Sequence, residues 1–198
     1  MASRHTAPGL RVIDSGNGTK TIELRSDTLA QPTDGYHADW YSSDMDAGSF
    51  TFVFAKLSVT KKRLVTVLSV TLPSSALPPL AQSLVTTVVP AAGTFEEGLE
   101  KFLAARGRTP PPPRRPIAEL VDLGTKEHSV VATIGVVGYS DNDGVISFYR
   151  LPPGASLALL KGQDLSNFQI MPVVRIDTSA NILLEFCRDV RNFADSLK

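Results

Sequence analysis

Tyr41-Ser42-Ser43-Asp44-Met45-Asp46-Ala47-Gly48 running into Ser49-Phe50-Thr51-Phe52-Val53-Phe54 is answered later in the chain by Tyr139-Ser140-Asp141-Asn142-Asp143-Gly144 running into Val145-Ile146-Ser147-Phe148-Tyr149-Arg150. Each stretch reads as an acidic turn followed by an aromatic strand, because Asp, Asn and Gly supply turn geometry while aromatic and β-branched residues suit a pleated surface. A variable loop and a second β-branched run follow each, Val65-Thr66-Val67-Leu68-Ser69-Val70 in one and Val173-Val174-Arg175-Ile176 in the other. Both runs end at a helix start. A shift of 106 lays Leu77, Leu80, Ala81, Leu84 and Val88 on Leu183, Phe186, Cys187, Val190 and Ala194, and that spacing of three and four marks one buried face of a helix. The same shift carries Val67, Leu68 and Val70 onto Val173, Val174 and Ile176, whereas the aromatic strand takes a shift of 98, which sets Phe50 on Phe148. The eight-residue difference between these shifts falls in the middle loop, where insertions are tolerated. Two diverged β-β-α repeats are therefore expected.

Working outward, Leu10-Arg11-Val12-Ile13 and Thr21-Ile22-Glu23-Leu24 flank Ser15-Gly16-Asn17-Gly18, a pattern that predicts a β-hairpin. Residues 1–9 are polar and read as a disordered N-terminus, and Gln31 to Asp39 reads as a loop. Ser74 or Ser75 is the expected cap of the first repeat helix, with Pro78 and Pro79 in its opening turn, and Thr178 or Ser179 the cap of the second. Thr94-Phe95-Glu96-Glu97 has capping-box spacing ahead of Leu99, Phe102 and Leu103, which predicts a connecting helix. Beyond Gly107, the tract Thr109-Pro110-Pro111-Pro112-Pro113-Arg114-Arg115-Pro116 predicts an extended polyproline spacer. The expected organisation is a first half over residues 10–89, a connection over 90–118 and a second half over 119–198.

Of the 198 residues, 42% are hydrophobic and 20% charged, enough apolar material for a buried core. Twenty basic residues balance twenty acidic ones, so no overall field draws in a nucleic-acid backbone or an anionic membrane. Cys187 is the single cysteine and forms no internal disulfide, which favours a reducing compartment. The first ten residues contain Arg4, His5 and Pro8 where a signal peptide needs an apolar stretch, and no run reaches the roughly 18 apolar residues of a membrane span. A cytoplasmic location is the expectation.

Motifs for chemistry are weak. Registering a calcium loop on Gly144 puts Tyr139 at the first ligand position and Arg150 where a bidentate Glu belongs, so the acidic turns read as hairpin chemistry, not as a metal site. His5, His37 and His128 are scattered without metal-ligand spacing. No nucleophile elbow, phosphate loop or dinucleotide fingerprint occurs, and Cys187 beside Phe186 and Val190 reads as an inert packing thiol. No cofactor and no catalytic residue is assigned. Candidate partner-binding residues are Pro110, Pro113, Arg114 and Arg115, which have P-x-x-P-x-R spacing inside a local basic patch, and the aromatic pair Trp40 and Tyr41. For the first group the competing reading is a solvated linker, and for the second it is sealing of the core edge.

Phe50, Phe52 and Phe54 with Val67 to Leu84, and Phe148 to Arg150 with Val173 to Val190, resemble an uncharacterised family of small bacterial proteins that hold one such strand-strand-helix unit. More distantly, the layout is similar to the SecB-like export chaperones. That likeness implies grooves for unfolded chains and oligomeric assembly, but it transfers no individual binding residue. The N-terminal hairpin and the central Pro-rich stretch depart from both. The expected fold is α+β, with antiparallel strands of both repeats in one sheet or two joined sheets and the helices on one face. The expected function is a non-catalytic protein-binding or assembly module, adaptor-like or chaperone-like, whose partner is another protein or its own copy. A structural component of a phage or bacterial particle is the alternative, and an enzyme with a site invisible to sequence is the third reading.

Overall fold

Alternation of apolar and polar residues along the strands underlies both four-stranded sheets of this molecule. The computed structural model describes residues 10–14, 20–24, 29–46, 48–58, 63–77, 80–81, 129–139, 143–152, 154–155 and 168–196. In chain order the strands are β1 (Leu10–Asp14), β2 (Lys20–Leu24), β3 (Gly35–Ala38), β4 (Trp40–Asp46), β5 (Ser49–Ser58), β6 (Arg63–Pro73), β7 (Ser129–Val131), β8 (Ile134–Tyr139), β9 (Asp143–Arg150) and β10 (Met171–Ser179). One helix, α1 (Ala180–Ser196), follows. The class is α+β. As expected, β1 and β2 pair antiparallel, with Leu10 opposite Leu24.

The remaining strands form two four-stranded sheets, ordered β4-β5-β6-β7 and β3-β10-β9-β8. Both are mixed, which corrects the expectation of purely antiparallel pairing: β7 runs parallel to β6, and β3 runs parallel to β10. The stretch read as a loop before Asp39 contains β3, whose backbone is claimed by β10 rather than by a sequence neighbour. The stretch read as an acidic turn is mostly β4, and its polar residues Asp44 and Asp46 are exposed on a strand at the sheet edge. Asp39 alone separates β3 in one sheet from β4 in the other, and Ala132 and Thr133 likewise separate β7 from β8. Each three-stranded meander is thus completed by a strand from the other side of the chain.

Pairing registers run in step. Tyr41 faces Phe54 and Gly135 faces Phe148, both members 94 apart, and Tyr36 on Ile176 matches Val130 on Val70 with the same 94 between Tyr36 and Val130. On β6 and β10 the spacing is 106: Leu68 pairs with Phe54, and Val174 with Phe148. Val67 is skipped between Leu68 and Thr66, and Val173 between Val174 and Pro172, so both sheets carry a bulge at the corresponding residue. Backbone pairing therefore aligns Phe54, not Phe50, with Phe148. The difference between the two shifts is twelve residues, not eight, and it falls between Leu151 and Met171.

The inner faces of both sheets and one face of α1 share a core that includes Phe50, Phe52, Phe54, Phe148, Ile176 and Phe186, each 0% exposed. Helix α1 is capped by Ser179, whose Oγ accepts from the N–H of Ile182, one of the two caps expected. The other helix start differs: a 3-10 turn, Ser74–Ala76, has Pro73 at its cap and no side-chain capping bond. Past that turn, helical Leu77, Leu80 and Ala81 are described and buried, so among the described residues one full helix is seen where two were expected, and the remainder of the first expected helix lies outside them. Residues 82–128, which include the predicted connecting helix and the polyproline tract, lie outside the described residues. Among the described residues no helix is long and apolar enough to cross a membrane.

Candidate interaction surfaces

Trp40 and Tyr41 are adjacent on β4, and the pleat sends them to opposite faces. Tyr41 points inward, is 1% exposed, and packs edge-on against Phe186 of α1 with ring centroids 5.6 Å apart. Its hydroxyl donates to the Asp189 carboxylate, also on α1. This phenol is thereby committed to holding the C-terminal helix against the first sheet. Trp40 is half-buried on the outer side, level with Ala55. Pro110, Pro113, Arg114 and Arg115 lie outside the described residues.

The sheet-crossing residues do work that the sequence does not advertise. Asp39 donates its N–H to the Ala55 carbonyl at 3.0 Å and accepts from the Leu57 N–H through Oδ2 at 3.0 Å. Thr133 repeats the arrangement, donating to the Tyr149 carbonyl at 2.8 Å and accepting from the Leu151 N–H through Oγ1 at 2.7 Å. A short polar side chain at this point satisfies an N–H that the switch between sheets strands. Next to Asp39, His37 Nε2 lies 3.1 Å from Oδ1, and Arg175 pairs with Asp177 at 3.0 Å. Both contacts are exposed enough for solvent to screen them. His5 and His128 lie outside the described residues. Among the described residues no group of three or more His, Cys, Asp and Glu is placed to hold a metal ion.

Buried titratable groups are tuned away from reactivity. Burial drives the Cys187 thiol far above its ordinary range, which withholds the thiolate that nucleophilic or redox chemistry needs. Tyr149 is 2% exposed beneath Leu29 and Ile170, on the outer face of the second sheet. Burial raises its pKa, and a hydrogen bond with Ser147 opposes the rise.

Among the described residues the two four-stranded sheets have four outer edges, and these differ. The outer edge of β7 is three residues long and that of β3 is four. The seven residues of β4 include Asp44 and Asp46. The six of β8, Ile134-Gly135-Val136-Val137-Gly138-Tyr139, hold no charge and no proline. Short or charged edges resist strand addition, and an uncharged one of this length does not. Sequence reading passed over β8 because Gly135 and Gly138 interrupt its β-branched run. No family model, curated protein or solved structure matches this chain.

Proposed function

We propose that this chain is a non-catalytic protein-binding or assembly module, built as an internally duplicated pseudo-dimer of two diverged β-β-α repeats. The observation that carries the reading is the reciprocal exchange of strands: β3 completes the sheet of β8 to β10, and β7 completes the sheet of β4 to β6. In a homodimer with swapped strands, each subunit lends a terminal strand to its twin, and joining the two copies in one chain makes that exchange intramolecular. The constant register spacing, the bulges at Val67 and Val173 and the twin junctions at Asp39 and Thr133 support the same reading. One such unit alone can hardly bury its apolar face, which gives duplication a physical reason. An adaptor-like or chaperone-like role in the cytoplasm, with the SecB-like resemblance, belongs to this proposal.

The test has two arms. A protease site placed between Pro110 and Pro113 is cleaved in the folded protein, and the fragments are run on native size exclusion. Halves that stay together until denatured support the pseudo-dimer, whereas halves that separate in native buffer overturn it. Light scattering beside affinity capture addresses assembly. A defined oligomer or a stoichiometric partner supports that role, and a strict monomer that holds nothing overturns it.

A further inference from the structure

We infer that the outer edge of β8 receives a second copy of this chain, whose own β8 adds antiparallel with Val136 on the two-fold axis, joining two four-stranded sheets into one. This inference rests on the assembly reading above and names its surface.

Elimination selects the edge. Of the two long outer edges, β4 carries Asp44 and Asp46, and only β8 is free of charge. Among the described residues β9 is the sole sheet neighbour of β8. Register then selects the occupant. Residues opposite one another in an antiparallel pair lie on the same side of the sheet, so a symmetric pair of β8 strands is centred on Val136 or on Val137. Centring on Val137 would bring Gly135 into the contact, but its inner side is already filled: a Cβ there would meet Leu80 Cδ1 at 2.9 Å. Centring on Val136 uses the outer side. It sets Ile134 of each copy opposite Gly138 of the other, and a Cβ at Gly138 meets nothing within 4 Å. Each strand thus offers an apolar side chain and, four residues on, the open space that receives its twin. Ile134 and Val136 already pack against the small cluster of Tyr149, Leu29 and Ile170, so the joined edge merges two such clusters into one apolar strip. A heterologous peptide satisfies the backbone ladder equally well, but it has no reason to match the Ile134 and Gly138 spacing.

The full chain is studied by sedimentation across a concentration series, together with Gly138→Lys and Asp44→Lys. Position 44 occupies on β4 the place that 138 holds on β8. Gly138→Lys fills the open space and carries charge to the edge, so its dimer dissociation constant should rise about tenfold or more. Asp44→Lys should dimerise like the parent, and melting curves verify that both variants fold. Val136→Cys supplies an independent reading: mild oxidation should give a disulfide-linked dimer, since residues opposite across an antiparallel pair are about 4.5–5.5 Å apart at Cα. A chain that stays monomeric throughout overturns the inference, and if it also captures no partner the assembly reading falls with it. A dimer indifferent to Gly138→Lys and not cross-linked through position 136 overturns this edge while leaving assembly intact. A monomer that binds a peptide in a manner abolished by Gly138→Lys overturns the second copy as occupant.

Discussion

The inner faces of the two sheets occupy the same register and differ most in volume. Where the first sheet presents Tyr41, Phe50, Phe52 and Phe54, the second presents Gly135, Gly144, Ile146 and Phe148. The helices compensate. Leu80 lies against Gly135, while Phe186, 106 residues later, reaches Tyr41 at 5.6 Å, Phe52 at 4.9 Å and Phe54 at 6.2 Å. Leu183 sits so near Gly144 that a Cβ there would be 2.7 Å from its own Cβ. Helix α1 therefore beds closely on the glycine-hollowed sheet and sends its large side chains, Phe186 and Phe193, to the aromatic one. Matching backbones with exchanged volumes line one shared interior.

The largest blow to this division is Phe186→Ala, which removes a fully buried ring touching three aromatic partners. We expect a loss of about 3–5 kcal/mol in denaturant unfolding, against about 2–4 for Leu80→Ala at the corresponding place. A smaller cost at Phe186 than at Leu80 would break the comparison. Next come the glycines. Gly144→Ala drives a methyl into Leu183 Cβ, an atom tied to the helix backbone, and should cost about 2–3 kcal/mol. Gly135→Ala meets the flexible end of Leu80, with Cδ1 at 2.9 Å, instead of an atom fixed to a backbone, and should cost less, about 1 kcal/mol. Equal losses at the two positions would mean that α1 does not bed more closely on β9 than the Leu80 turn does on β8.

How much of this was legible from sequence follows from the length of each signal. Leu77 and Leu80 fall on the stripe expected of the first helix, Leu183, Phe186, Cys187 and Val190 on that of α1, and all six are buried. Strands β5, β6, β9 and β10 announce themselves through aromatic and β-branched runs. By contrast, β3 and β7 are too short for a period to emerge, and their parallel partners are decided by tertiary pairing. The acidic residues of β4 read as a turn because polarity at an exposed edge and polarity in a loop look alike in one dimension. Matching Phe50 to Phe148 by side-chain type departs by four residues from the pairing registers of the two sheets, since Gly144 holds the register position of Phe50 where α1 approaches. Among the candidate site residues, Trp40 and Tyr41 could be noticed as aromatic, but which of them turned inward depended on the register of a strand that the sequence hid.

Tyr41→Phe isolates the hydroxyl bond that ties the aromatic sheet to α1. The ring contacts survive and the Asp189 bond is lost, so we expect about 1 kcal/mol of destabilisation, because the half-buried Asp189 recovers water. A loss matching that of Phe186→Ala would show that the hydroxyl, and not the packing, seats the helix.

The smallest contrast lies where Ala81 and Cys187 occupy corresponding buried places, 106 residues apart. Burial raises the Cys187 thiol pKa in the folded state, so the folded protein keeps its proton at pH values where the unfolded chain has released it. The sign follows: this contribution is fully present below the unfolded thiol's value, about 8.5, and it drains away as pH climbs above that. Denaturant midpoints taken from pH 7 to 10 should therefore fall for the parent protein. Cys187→Ala, which makes the two helices alike at this position, lowers stability by about 1 kcal/mol at pH 7 through lost packing but should show a shallower decline above pH 9. Parallel curves for the two proteins would mean that the thiol ionises with little penalty, and hence that α1 lifts from the sheet in alkali before the protein unfolds.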